Sequence, residues 1–211
     1  MKRYILSALA LVAFSGSTHA AWTLGQWQLF PSNGHYYSVQ QITGPTTGWL
    51  IARAQAKALT APNGSPVDLV TITSQAENDF VSAGISSPTY WKLDGAANNE
   101  GPNIGAFQTD KLAEPDGHWA WVTGEPFVYN NWSSGSPNNT SNIEDYATFF
   151  SFFSGISGSW NDISSGTSNA GDTGSISYYV AEATGVPEPA TICILALSLT
   201  VFAAHRRRSR I

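Results

Sequence analysis

The apolar positions of this chain follow two periods. Trp119 and Trp121 alternate with Ala120 and Val122, a period of two that predicts a strand, and large aromatics suit a pleated, half-buried surface. The apolar-aromatic run from Tyr146 to Phe150 predicts another strand, and Trp160-Asn161-Asp162 follows a Gly/Ser turn. Asn33-Gly34 reads as a turn into a strand reaching Val39, Leu69 to Thr73 as a strand rich in β-branched residues, and Tyr178 to Glu182 as a closing strand. The second period is helical. Trp49, Ala52, Ala56 and Leu59 fall at i, i+3, i+7 and i+10, the spacing of an amphipathic helix. Ala52 to Ala58 has good helix propensity, and Pro62-Asn63-Gly64 stops it. Ser74-Gln75-Ala76-Glu77 is a capping box in which Ser74 accepts from the Glu77 amide while Glu77 reaches back. It predicts a second helix over about Gln75 to Val81. Residues 95–117, rich in Gly, Asn and Pro, read as a long loop. Two helices among several strands, with no internal repeat, predict an α+β fold.

The two ends follow neither period. Lys2 and Arg3, an apolar run from Tyr4 to Phe14 and small residues from Ser15 to Ala20 have the three parts of a secretory signal peptide, which makes residues 1–20 a removable leader. At the other end, Val186-Pro187-Glu188-Pro189-Ala190 precedes an apolar run from Thr191 to Ala204 and a basic cluster, His205 to Arg210. That run is short of the roughly twenty residues of a membrane span, and its basic flank orients it as a stop-transfer segment. A plain C-terminal anchor is one reading of residues 186–211. The tripartite tail also resembles the PEP-CTERM sorting signal of Gram-negative, exopolysaccharide-producing bacteria. That resemblance implies export, transient inner-membrane anchoring through 191–204, and cleavage near Pro187, Glu188 and Pro189 by an exosortase. The destination it implies is the cell surface or extracellular matrix.

Setting the ends aside changes the charge. The whole chain has a formal net charge of −5, but residues 21–186 hold four basic and fourteen acidic residues, near −10. Nucleic-acid affinity rests on Lys and Arg neutralising phosphates, so a nucleic-acid partner is excluded. Divalent cations and neutral ligands such as glycans suit this surface. The segment, residues 21–185, is one domain by length. It holds no cysteine, the single Cys193 lying in the tail.

Candidate chemistry concentrates between His118 and Asp162. Ser133 to Asn142 is Gly, Pro, Ser and Asn, a loop composition. Around it, Asn138, Glu144, Asn161 and Asp162 supply amide and carboxylate oxygens of the kind calcium takes, about six to eight per ion. As turn residues capping strand ends they would look the same. No Ser–His–Asp, Cys–His or Gly-rich phosphate motif is present, which argues against an enzyme. Glu114, Asp116 and Glu125 are the carboxylates from which a glycosidase pair would be drawn, but nothing in the sequence fixes their separation, and solvated loop charges account for them better. His35 and His118 stand isolated in sequence and read as surface or strand residues.

Trp119-Ala-Trp121, Tyr129-Asn-Asn-Trp132, Ser136-Pro137-Asn138, Glu144-Asp145 and Trp160-Asn161-Asp162 stand in the order of the motifs of a C-type lectin-like domain, with the same eight-residue step from Ser136 to Glu144. From Asn33 to Glu182 the chain resembles that family. The resemblance implies two helices flanking antiparallel sheets with a long loop region. It also implies a Ca2+ ion held by Asn138, Glu144, Asn161 and Asp162, with vicinal sugar hydroxyls completing its shell. The carbohydrate-binding set is then Ser136, Asn138, Glu144, Asn161 and Asp162, and Pro137 corresponds to a cis-proline. Ser136 stands where the family has a carboxylate, which lowers the ligand charge and weakens the ion. Tyr146, Ser165 and Ala181 stand where the family's cysteines fall, making this a disulfide-free version that forgoes roughly 2–4 kcal/mol per bridge. A looser set, Asp94, Glu100, Asn139 and Asp145, marks a second calcium site. The implied function is calcium-dependent carbohydrate binding in the exopolysaccharide matrix. A structural or protein-binding matrix component using the same scaffold is the alternative.

Overall fold

The computed structural model describes residues 20–45, 48–93, 98–110, 112, 114–115, 117–152, 155–165 and 176–185. The expected leader, Ala20 excepted, and the sorting segment lie outside the described residues. In chain order the elements are β1 (Gln28–Phe30), β2 (His35–Gln41), α1 (Trp49–Ala56), β3 (Val67–Leu69), α2 (Gln75–Gly84), β4 (Lys92–Leu93), β5 (Asn98–Gln108), β6 (Trp119–Trp121), β7 (Tyr146–Phe152), β8 (Ser159–Ile163) and β9 (Tyr178–Ala183). The sheet path runs β1-β2-β9-β5-β7-β8, with β3 on β9 and both β4 and β6 on β5. The pairings between these strands are antiparallel except the contact of Asn103 with Tyr179, and an isolated parallel bridge joins Trp132 to Trp160. Two helices on a largely antiparallel sheet make the fold α+β, as the periodicities predict.

Three expectations need correction. Residues 95–117 are not a long loop: β5 occupies Asn98–Gln108 and pairs with β4, β6, β7 and β9. Its Gly and Asn content hid it, but burial explains that content. Gly101 and Gly105 leave no room for a side chain, since a Cβ on Gly105 would lie 2.8 Å from the carbonyl oxygens of Leu69 and Val70. Glycine in a strand marks such close backbone approach. The strand expected over Leu69 to Thr73 ends at Leu69. Val70 still donates to Val180, but the Thr71 and Thr73 amides turn to the carboxylates of Glu182 and Glu77. The helix expected to close near Val81 runs on to Gly84.

Each helix is fixed by a few specific contacts. α1 buries Trp49, Ala52 and Ala56, the Trp49 indole donating to the Ile104 carbonyl at 2.6 Å and packing on Tyr146 with ring centroids 4.4 Å apart. Of the positions where the family's cysteines fall, Ala181 is buried in the core around Trp49 and Tyr146 packs against it. Packing stands where a bridge would. On α2, Ser74 caps the Glu77 amide, but Glu77 reaches one residue further back than expected. Its Oε2 accepts from the Thr73 amide at 2.7 Å and hydroxyl at 3.0 Å, and its Oε1 from Tyr37 and Asn33. The next residue, Asn78, receives the Trp160 indole N–H at 3.0 Å and donates to the Gly158 carbonyl at 3.1 Å. That exchange locks α2 to β8, the strand that carries the candidate site.

Candidate calcium and glycan site

The four tryptophans of the central stretch form one cluster. Trp160 is fully buried and meets Trp121 and Trp132 edge-on, with centroids 5.5 and 5.8 Å away, and Trp119 packs on Trp132 at 4.7 Å. Such pairs add about 0.5–1.5 kcal/mol each beyond area burial. The backbone reinforces them. Trp160 donates to Asn131 and receives Ser133, binding the start of the loop to β8.

That anchoring holds residues 133–145 over Asp162. The Ser136–Pro137 peptide is cis, as the resemblance implies. Asp162 is fully buried, and its Oδ2 accepts from the amides of Asn138 at 2.8 Å and Asn139 at 2.6 Å. Its other oxygen, Oδ1, is buried with no hydrogen-bond donor among the described residues. Burial pushes the Asp162 carboxyl above its usual range, partly offset by the bonds from Asn139, Asn138 and its own amide. Beyond it, Asn139, Ser141 and Asn142 all take left-handed backbone angles, which persist only where surroundings over-determine them. The constraint here comes from Asp162 on Asn139, from Glu144 Oε2 on the Thr140 amide at 2.8 Å, and from Asn139 Oδ1 on the Glu144 amide at 3.0 Å.

The expected oxygen donors are therefore brought to one loop and one strand. Asn161 and Asp162 lie in β8, Asn138 and Glu144 in the loop clasped to it. Hydroxyls occupy two of their carbonyl oxygens: Thr140 donates to Asn138 Oδ1 at 2.8 Å, and Ser136 donates to Asn161 Oδ1. A buried carboxylate oxygen with no donor among the described residues, on a strand clasped by a loop that carries a second carboxylate, has the chemistry a hard cation takes. Beside the loop lies an open cavity of about 550 Å³, lined by His118, Trp119, Phe127, Asn130, Trp132 and the Ser136–Pro137 pair. In the sequence these aromatics stand only as strand and motif positions. Their alternation showed the strand but not which faces line a concavity.

The looser sets separate. Glu100 pairs with Phe150 while Asp145 adjoins Tyr146, the partner of Phe107. This puts Glu100 and Asp145 roughly 15 Å apart along the sheet at about 3.3 Å per residue. The second calcium site as first drawn does not assemble around Glu100, and Asp94 lies outside the described residues. Of the glycosidase candidates, Asp116 is likewise outside them, and Glu125 groups with His35 and Glu182 rather than with Glu114. His118 is exposed and pairs with Asp110 at 3.4 Å. His35 is not isolated: its Nδ1 lies 2.5 Å from Glu182 Oε1. Burial drives Glu182 up to about 7, and the bond to Glu182 raises His35.

No family model matches the chain. It is 29% identical over 142 residues to human C-type lectin domain family 4 member E, covering 65% of this chain and 51% of that protein. To lectin BRA-3 from Megabalanus rosa it is 32% identical over 98 residues, covering 44% of this chain and 46% of that protein. The chain thus spans about half the length of the curated relatives it matches. Among solved structures it is similar to the C-type lectin CEL-I from Cucumaria echinata, with a TM-score of 0.51 and 23% identity over 78% of this chain and 99% of that one. The element order, the sheet and these relatives agree: the chain has the C-type lectin fold, in a form whose described core contains no cysteine.

Proposed function

We propose that this chain is an exported, calcium-dependent carbohydrate-binding protein of the cell surface or exopolysaccharide matrix. The observation that carries the reading is Asp162 Oδ1, a buried carboxylate oxygen on β8 with no donor among the described residues, while Oδ2 of the same carboxylate holds the loop amides of Asn138 and Asn139 in place. Asn138, Glu144, Asn161 and Asp162 hold the ion, and Ser136 sits at its edge. Bound calcium supplies a centre that coordinates paired sugar hydroxyls. The chain's own residues supply orientation, through the two Asp162 amide contacts, and an apolar wall, through Trp119, Phe127 and Trp132. Similarity to lectins supports the glycan partner. Among the described residues no helix is long and apolar enough to cross a membrane. Signal peptidase at 1–20, an exosortase at Pro187–Pro189 and transient anchoring through 191–204 belong to the proposal through the sequence of the two ends.

One observation favours a second reading. Ser136 replaces a carboxylate and donates to Asn161 Oδ1, closing part of the site with an internal hydrogen bond, as suits a matrix component that binds no sugar. The test is the melting temperature of the purified protein in millimolar calcium and in EDTA, followed by retention on immobilised bacterial polysaccharide. A ligand of the folded state adds about 2.7 kcal/mol at a hundredfold excess over Kd. A calcium-dependent rise of several degrees with EDTA-reversible retention supports the lectin reading. Stabilisation without retention leaves the scaffold reading standing, and no response to calcium removes the ion from both.

A further inference from the structure

We propose that His35, Glu125 and Glu182 form a binding site for a divalent transition metal of the zinc class, separate from the calcium residues. His35 opens β2, Glu182 lies in β9, and Glu125 sits in the turn that follows β6. One ligand atom from each lies within 4.8 Å of the other two. Donors about 2.0–2.2 Å from a tetrahedral zinc stand roughly 3.3–3.6 Å apart. His35 Nδ1 and Glu182 Oε1, now 2.5 Å apart, need to separate by about 1 Å, and the Glu125 oxygen is already within 4.8 Å of both partners.

The donor set decides the class of ion. An imidazole nitrogen with two carboxylates suits zinc and its neighbours, whereas calcium is held by oxygens and needs more of them. The supports needed for such a site are already present. Glu182 Oε2 accepts from the Thr71 amide at 2.7 Å, fixing the carboxylate plane while Oε1 stays directed at His35, the kind of outer contact that orients a metal ligand. Thr71 also meets the Thr123 hydroxyl at 2.8 Å, and Thr123 accepts from the Glu125 backbone amide at 3.4 Å, so Thr71 links the Glu182 carboxylate to the segment that carries Glu125. Glu182 is buried, while His35 and Glu125 are partly exposed. That leaves an open side for the ion to enter and for a water to take the fourth position. A buried carboxylate is costly unless paired, and a divalent ion offsets Glu182 and Glu125 together.

The test is titration of the purified protein with Zn2+ in saturating calcium, read by calorimetry and melting temperature, with Co2+ as a spectroscopic probe. The expected result is one ion per chain, a rise in melting temperature, and the visible ligand-field bands of a four-coordinate nitrogen–oxygen site. His35→Gln and Glu125→Gln, both at the exposed side of the site, should each weaken zinc by about tenfold or more while remaining folded in EDTA. Asp162→Asn should leave zinc binding intact. Absence of stoichiometric zinc overturns the proposal, as does zinc binding that survives both substitutions. Neither outcome bears on calcium, whose residues are different.

Discussion

Asp162 holds Asn139 by a 2.6 Å hydrogen bond from the Asn139 amide to a carboxylate buried in β8. The same oxygen takes the Asn138 amide at 2.8 Å. Two consecutive amides of an irregular loop are thus fixed by one strand residue, and the second carboxylate oxygen is left for another partner. The loop's shape and its capacity for a cation therefore depend on the same side chain.

Asp162→Asn separates those roles. The amide keeps the size but presents one acceptor and no charge, so the two loop bonds weaken from charge-assisted bonds of about 1.5–3 kcal/mol toward neutral ones of about 0.5–1.5 kcal/mol. We expect a loss of roughly 1–3 kcal/mol of stability in EDTA by urea unfolding, and no calcium-induced shift of the transition. A variant that still responds to calcium would place the ion elsewhere.

Ser136→Glu runs in the opposite direction. The residue follows the loop's first anchor and reaches Asn161, so a carboxylate there adds a charged donor to the calcium set. Affinity in a chelator-buffered calcium titration should rise roughly tenfold or more, since ligand charge tunes calcium binding. Unchanged affinity would show that position 136 does not face the ion.

Glu77→Gln tests the join between α2 and the sheet. The buried carboxylate accepts from Thr73 twice, from Tyr37 and from Asn33. An amide matches only part of that set and brings its own donors into a site built to donate. Thermal melts should show a loss of about 2–3 kcal/mol, with the calcium midpoint unchanged. A melt equal to the parent's would mean that these bonds are replaced at no cost.

Gly105→Ala tests the close packing of β5 on the chain leaving β3. The new methyl would lie 2.8 Å from two backbone carbonyl oxygens and from the Val122 side chain, and backbone cannot rotate away as a side chain can. Overpacking of this kind costs about 1–3 kcal/mol. Chemical denaturation should show that loss, whereas an unchanged midpoint would mean that the strands part freely there.

Local pattern was enough to show much of this protein. The Trp119–Trp121 alternation, the α1 spacing, the Ser74 cap and the ordered motifs from Trp119 to Asp162 belong to single segments, and a segment states its own period. They were sufficient for an α+β, disulfide-free, lectin-like fold and for a candidate oxygen set in one loop and one strand. The central strand was invisible for the same reason. Asn98–Gln108 is strand because four other strands surround it, and a buried strand full of Gly and Asn has no period of its own to read.

Tertiary structure alone decided which groups meet. Glu100 and Asp145 look like partners in the chain, yet the register of β5 against β7 carries them apart. His35, Glu125 and Glu182 look unrelated, yet β2 beside β9 and the Thr71–Thr123 contact bring them within one ion's reach. That Asp162 Oδ1 is buried with no donor among the described residues is a fact of burial, which no residue type states by itself. Sequence determines what each segment prefers and what each side chain is able to donate. Long-range pairing determines which donors share a space from which water is excluded, and that sharing makes a site.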